Sequence, residues 1–310
     1  MDSKTRIAVC SRSFSRNEVL RNELLSRYSN VKFNDDGLNL EGDSLVNFLK
    51  DAEKAITALE VINEQILSQL PKLKVIGKYG VGLDMLNLNA MRKFGVNLGW
   101  TGGVNKRSVS ELVISLAISL LRMVPSANKD VLAGNWKMHV GTLLTGKTIG
   151  IVGCGNIGKD LIELLQNFHC EIIVNDIKNY NNFYKKFNIK AVNLDNLLMN
   201  SDIVTLHVPL DDSTSNILNE SKLKMMKSSA ILINTARGGL VDENALKESL
   251  KKKHIAAAAF DVLLNEPPTD YELICLDNFF VTPHIGGSAN ESILAMGIAA
   301  IEGLDNNKIP

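Results

Sequence analysis

The sequence predicts an α/β protein built from two doubly wound parallel sheets. Three observations carry the prediction. Over residues 1–101, short β-rich apolar runs alternate with segments of helical period. The same alternation restarts at Thr148, after one long apolar helical segment. Between the first strand and first helix of this second series lies a glycine pattern suited to a tight strand-to-helix turn. Alternation of this length requires right-handed crossovers, and therefore parallel strands. A chain of 310 residues accommodates two such domains, at roughly 150 residues each.

The elements follow in order. In the first series, residues 6–10, 31–33, 55–59, 75–77 and 96–99 read as strands, and 17–28, 44–52, 63–70 and 87–94 as helices. Next comes "SVSELVISLAISLLRMV", residues 108–124. This helix has little polar face, which predicts burial on most sides, between domains or between subunits. The second series reads strand 148–153, helix 157–168, strand 172–176, helix 194–199, strand 203–208, helix 221–226, strand 230–235, helix 243–252, then strands 255–262 and 279–282. Residues 291–304 read as a closing helix. The Asn- and Lys-rich patches 179–188 and 251–253 read as solvated surface. The expected domains are 1–101, completed by 288–310, and 102–287.

Composition excludes several classes. Lys plus Arg equals Asp plus Glu, at 34 each, so there is no basic footprint for nucleic acid and no polybasic membrane patch. No apolar run approaches the roughly 18 residues that span a bilayer. The opening "MDSKTRIAVC" is charged and enters a strand directly, unlike a signal peptide. The four cysteines form no C-x-x-C pair, which fits neither a zinc site nor a disulfide framework. No metal is expected, and a reducing, cytoplasmic setting is.

"TIGIVGCGNIGKDL" places Gly153, Gly155 and Gly158 as G-x-G-x-x-G, with Asn156 and Ile157 opening the helix. A second strand, "EIIVND", ends in Asp176. This context is that of a dinucleotide-binding turn. Gly153 permits the tight turn, Gly155 lets backbone approach a pyrophosphate, and Gly158 lets helix and strand pack closely. Asp176 would accept a hydrogen bond from a ribose 2'-hydroxyl and repel a 2'-phosphate, so NAD is preferred to NADP.

Further polar residues follow later strands of the same series: His207, Val208 and Pro209; Arg237 after Thr235 and Ala236; Asp261 and Glu266; and His284 in "FVTPHIGGS". In an open α/β sheet the ligand crevice lies outside the carboxyl ends of the strands, so these residues can converge. Oxidising an alcohol carbon needs a hydride acceptor, a base for the hydroxyl proton and a cation for a neighbouring carboxylate. His284 suits the base, because imidazole titrates near working pH. Glu266 suits its orienting partner. Arg237 offers a planar fork to a carboxylate. Pro283 would fix the approach of His284, and Gly286 and Gly287 would let backbone pass close to a nicotinamide.

"GIVGCGNIG", "LHVPLDDST", "INTARGGLVDENAL", "AAFDVLLNEPP" and "NFFVTPHIGGS" resemble, in this order and spacing, the NAD-dependent D-2-hydroxyacid dehydrogenases, with wording most similar to the phosphoglycerate dehydrogenase-like branch. "GKYGVGLDMLNL" and "TGGVNKRSVSELV" extend the resemblance upstream. It implies a Rossmann NAD-binding domain and a smaller flavodoxin-like substrate domain, in a homodimer. It implies Arg237, Glu266 and His284 as catalytic residues and Asp261 as the contact of the nicotinamide carboxamide. NAD contacts are expected at Gly153, Gly155, Asn156, Ile157, Gly158, Asp176, His207, Val208, Pro209, Thr235, Ala236, Arg237, Asp261, His284, Gly286 and Gly287. The turn Lys78, Tyr79, Gly80, Val81 and Gly82 would hold the substrate carboxylate through backbone N–H groups.

The chain departs from the family in three places. Gly102 follows Thr101 where proline is common. "AITALEVINEQI" lacks the arginines that grip a substrate phosphate in some relatives. The chain ends at Pro310, so the regulatory C-terminal domains of longer relatives, and serine feedback, are not expected. Arg12 and Ser13, in "SRSFSR" after the first strand, are the alternative grip on a distal phosphate or carboxylate. The expected substrate is 3-phosphoglycerate-like. The alternatives are glyoxylate or hydroxypyruvate reduction and an NAD(H)-sensing binding protein. Formate dehydrogenases resemble this chain but carry Gln where Glu266 stands.

Overall fold

Twelve parallel strands form two sheets in the computed structural model, which describes residues 4–310. The first three residues of the charged opening lie outside the described residues. The chain divides into two compact units, Met1–Asn105 with Ala289–Pro310, and Lys106–Ser288.

In the first unit, β1 (Ile7–Val9), β2 (Val31–Phe33), β3 (Lys54–Thr57), β4 (Val75–Lys78) and β5 (Asn97–Gly99) pair in the order β2-β1-β3-β4-β5. This is the flavodoxin-like order. One face packs on Leu45, Leu49, Ile62 and Leu67; the other packs on Phe14, Leu20, Leu24 and Ile301. The closing helix Asn290–Gly303 lies directly on the sheet. A Cβ on Gly99 would stand 2.0 Å from the carbonyl oxygen of Gly303, so backbone meets backbone there.

The "SRSFSR" stretch follows β1 directly. It forms a short helix, Arg12–Arg16, because Ser11 caps the N–H of Phe14 and Phe14 is fully buried.

The second unit carries β6 (Thr148–Val152), β7 (Glu171–Asn175), β8 (Lys190–Ala191), β9 (Ile203–Leu206), β10 (Ile231–Asn234), β11 (Ala257–Phe260) and β12 (Phe279–Val281). Their order is β12-β11-β10-β9-β6-β7-β8. The winding reverses between β6 and β9, which places a crevice at their carboxyl ends.

Two expectations need correction. The helix Lys106–Leu121 buries Val109, Ser110, Val113, Leu116 and Ala117 and half-buries Leu112, Ile114, Ile118, Leu120 and Leu121 beside them. It stops early: Met123 turns left-handed and Pro125, which cannot donate a hydrogen bond, starts a new helix Val124–Leu132. Residues 179–188 are not merely solvated surface. A helix, Asn181–Lys186, buries Tyr184, and Lys159 stands 3.5 Å over the ring of Tyr180. Aromatic residues four apart gave that segment its anchor, hidden among Asn and Lys.

No single helix among the described residues is long and apolar enough to cross a membrane. No group of three His, Cys, Asp or Glu among them could hold a metal.

Candidate active site

The turn after β6 is shaped by its glycines. Gly153 has φ +99°, which disfavours any other residue, and a Cβ there would meet the carbonyl of His207 at 2.6 Å. A Cβ on Gly158 would lie 2.3 Å from the carbonyl oxygen of Gly153, so the helix Asn156–Leu165 starts in contact with the turn. A Cβ on Gly155 would meet nothing within 4 Å. That open space, at a helix N-terminus, suits a pyrophosphate.

Asp176, at the end of β7, also fastens this turn. Its carboxylate accepts from the N–H of Cys154 and from the N–H of Lys178, both at 2.6 Å. The sequence reading assigned it only to a ribose. Burial pushes the Cys154 thiol up to about 11, so this thiol inside the turn stays protonated at neutral pH.

His207 is partly exposed as a residue, but its ring nitrogens are enclosed. Nε2 is 3.0 Å from Thr205 Oγ1, while Nδ1 has no partner among the described residues. Burial holds its pKa down at about 3. Thr235 Oγ1, after β10, is likewise buried without a partner. Buried polar atoms are rarely left unmatched in a folded protein. Two of them at neighbouring strand ends, beside an open glycine turn, fit a bound dinucleotide. Val208 adds apolar contact against Gly153, and Pro209 is exposed beyond it.

Arg237 leaves β10 on a turn organised by Asn234, which is fully buried. Asn234 Nδ2 donates to the carbonyl of Arg237 at 2.8 Å, and Asn234 Oδ1 accepts from the N–H of Ala236 at 3.1 Å. The Arg237 guanidinium donates to the carbonyl of Ala236 at 2.6 Å. Gly238 then lies on the turn that follows β11: a Cβ there would stand 2.1 Å from the Leu263 carbonyl oxygen. The segment carrying Arg237 and the segment carrying Glu266 are thus packed backbone to backbone.

Glu266 bridges two groups. Oε1 accepts from the N–H of Leu263 at 3.1 Å, and Oε2 lies 2.8 Å from His284 Nδ1. Both side chains are about half exposed. His284 itself has φ 53°, a left-handed conformation that its neighbours must enforce. Asp261 does so. It is 1% exposed, and its carboxylate accepts from Thr282 Oγ1 (2.6 Å) and from the N–H groups of Ile285 (2.8 Å) and Gly286 (2.7 Å). Gly286 is small toward Asp261: a Cβ there would lie 3.0 Å from Asp261 Oδ2. Ser108 Oγ completes the turn by donating to the Gly286 carbonyl at 2.6 Å. Gly287 and Pro283 stay at the surface of this turn.

In the first unit, Lys78 is buried and its amine donates to the carbonyls of Ala58 (2.6 Å) and Tyr79 (3.2 Å). Burial raises the Tyr79 phenol, and Ser13 opposes that rise. The N–H groups of Gly80, Val81 and Gly82 have no acceptor among the described residues. Arg12 and Ser13 are exposed, and Arg12 makes no ion pair among the described residues.

The second unit therefore brings Arg237, Asp261, Glu266 and His284 together on successive strand ends. Sequence reasoning missed Asn234, Gly238, Thr282 and Ser108 as supports. A lone Asn ending the apolar run "ILIN" and a Thr before Pro283 were the available signals.

Fold and glycine turn give the second unit the architecture of a dinucleotide-binding Rossmann domain. The family profile described as the NAD-binding domain of D-isomer-specific 2-hydroxyacid dehydrogenases matches residues 114–286. D-3-phosphoglycerate dehydrogenase of Methanocaldococcus jannaschii is 35% identical over 267 residues, which are 85% of this chain and 51% of that one. Glyoxylate reductase of Aeropyrum pernix is 33% identical over 293 residues, 91% of this chain and 88% of that one. The crystal structure of Aquifex aeolicus D-lactate dehydrogenase with NAD and lactic acid superposes with a TM-score of 0.83 at 25% identity, covering 96% of this chain and 93% of that one. The chain belongs to the D-2-hydroxyacid dehydrogenase family. It spans about half the length of the phosphoglycerate dehydrogenases it matches.

Proposed function

We propose that the protein transfers hydride reversibly between NAD(H) and C2 of a D-2-hydroxy acid or its 2-oxo acid. The observation that carries this reading is the 2.8 Å pairing of His284 Nδ1 with Glu266, on a strand end next to the Arg237 turn. Holding Nδ1 leaves Nε2 of His284 for the substrate. In oxidation that nitrogen takes the hydroxyl proton; in reduction it returns a proton to the carbonyl oxygen. NAD supplies the hydride acceptor when bound. Glu266 orients the ring by holding Nδ1. Arg237 binds the substrate carboxylate through its fork. The free N–H groups of Gly80 to Gly82 support a carboxylate-binding role for that turn. Asp176 would favour NAD over NADP.

Two observations bear on the substrate. Arg12, exposed after β1, supports a phosphorylated distal group, as in 3-phosphoglycerate. Glu60 supports the second reading, glyoxylate or hydroxypyruvate. Its carboxylate accepts from the N–H of Ala58 at 2.6 Å, beside the carbonyl that holds the Lys78 amine, and a second negative charge is unwelcome there. The exposed apolar residues Leu132, Trp136, Met138 and Val140 support a homodimer.

The deciding experiment is an NADH-oxidation screen with glyoxylate, hydroxypyruvate, pyruvate and phosphohydroxypyruvate, with NAD reduction by 3-phosphoglycerate alongside. The best kcat/KM names the substrate class. Tight NADH binding without turnover on any member would replace the enzyme with an NAD(H)-sensing protein.

A further inference from the structure

The turn that presents Glu266 has a second carboxylate behind it. Glu243 is the first residue of the helix Glu243–Lys251, and its Oε1 accepts from the N–H of Leu264 at 2.7 Å. One residue earlier, the N–H of Leu263 donates to Glu266 itself at 3.1 Å. The peptide between these donors has the backbone of Gly238 on its other side, where a Cβ would lie 2.5 Å from Leu264 N. The Leu263–Leu264 peptide is therefore fixed from two directions. Gly238 blocks it on one side and Glu243 holds it on the other.

We infer that Glu243 is a positioning residue for the Glu266–His284 pair, acting through the N–H of Leu264. The inference rests on the catalytic reading of that pair given above. Two consecutive N–H groups go to two glutamates, one structural and one facing His284. If the Leu264 N–H loses its acceptor, the turn can rotate. Glu266 then loses its bond to Leu263 as well as its alignment on His284 Nδ1.

The helix carrying Glu243 is itself anchored. Asp242 caps it by accepting from the N–H groups of Asn244 and Ala245, both at 3.0 Å. Its buried face carries Ala245, Leu246, Ser249 and Leu250. Glu243 thus reaches the turn from a fixed base. The charges around it are Glu266 on the turn, Asp270 ahead of the helix Tyr271–Ile274, and Asp242 and Lys247 on its own helix. Lys247 pairs with Asp270 at 2.7 Å and with Glu272 at 3.5 Å, which leaves Glu243 to the backbone. Burial raises the Glu243 carboxyl, and the Leu264 N–H opposes that rise.

The test uses Glu243→Ala, Glu243→Asp and Glu243→Gln in the full chain, with rates normalised to NADH-binding sites. Gln keeps an acceptor at the same reach. Asp keeps the charge but is one methylene too short. Ala and Asp should each lower kcat/KM for 2-oxo acid reduction at least about fivefold, the consequence of losing the alignment of Glu266 on His284. They should also move the high-pH limb of reduction to lower pH, because the imidazolium loses its aligned counter-charge. NADH affinity should hold, and Gln should restore both rate and limb. The Asp variant keeps the test intact if Ala does not fold. Combining Ala with Glu266→Gln should move the limb no further than Glu266→Gln alone, since both act through one carboxylate.

The inference is overturned if Ala and Asp lower thermal stability but leave the limb in place, or if Gln behaves like Ala. Failure of the catalytic reading looks different: then Glu266→Gln itself leaves the limb unmoved.

Discussion

Asp261 and His284 are joined through backbone on both sides of the histidine. The N–H of His284 donates to the Asp261 carbonyl at 2.9 Å, and the Asp261 carboxylate holds the next two N–H groups, Ile285 and Gly286. The left-handed conformation of His284 is the product of this clasp. Three donors converge on one buried carboxylate, so an amide cannot replace it: one end of the amide would face a donor with a donor. Asp261→Asn should therefore lower kcat by about 10²-fold or more, as misplacing a positioned acid–base group does. It should also cost about 1.5–3 kcal/mol of stability per charged hydrogen bond lost. Steady-state rates and urea unfolding check this together. A stable Asn variant with normal kcat removes the clasp from the mechanism.

The two directions of the reaction need opposite states of His284. Reduction starts from imidazolium and fails as pH rises; oxidation starts from neutral imidazole and fails as pH falls. The Glu266 carboxylate lies 2.8 Å from His284 Nδ1. Glu266→Gln removes that charge, so the reductive limb should move to lower pH and oxidation should persist to lower pH. His284→Ala should lose both limbs and about 10²–10⁴-fold in rate. Profiles of kcat/KM against pH in both directions measure this. Limbs that stay in place or move upward in the Gln variant break the dyad.

Much of this architecture is legible in the residues, for physical reasons. The βα rhythm survives because buried parallel strands must be apolar along their whole length, as in "IVTL" and "ILIN". Glycine turns survive because Gly153 and Gly158 touch backbone directly. What escaped reading lacks such a signature. β8 has two residues, and both are exposed. The Asn181–Lys186 helix hides its aromatic anchors in polar sequence. Asp261 and Glu243 act by accepting backbone N–H groups from segments distant in sequence, which no local pattern announces. The left-handed His284 escaped for a similar reason, since its conformation is imposed by Asp261, 23 positions earlier.

Arg237→Lys separates charge from shape. Lysine keeps the positive charge but loses the planar two-point fork. Its KM for the 2-oxo acid should rise by about tenfold or more, the value of one charged hydrogen bond, while Kd for NADH changes little. Initial rates and NADH fluorescence titration give both numbers. A Lys variant with the parent KM takes Arg237 out of the substrate site.

His207 predicts how stability depends on pH. Its pKa in the folded chain is held at about 3 by burial, against 6.5 for the free side chain. The folded state therefore stays neutral where the unfolded state gains a proton. The associated stability is complete above pH ~6.5 and is lost as pH falls toward ~3, at up to about 1.4 kcal/mol per pH unit. His207→Gln removes the titration while leaving a polar group beside Thr205. At neutral pH the variant should be less stable than the parent, having lost a fitted ring. As pH falls from 7 to 4.5 the gap should close, because only the parent carries the cost of keeping an imidazole neutral. The carboxylates titrate alike in both chains and cancel in the difference. Urea unfolding at several pH values in that window gives this difference. Parallel curves would mean that the imidazole is protonated in the folded protein, and that the enclosure of Nδ1 does not hold in solution.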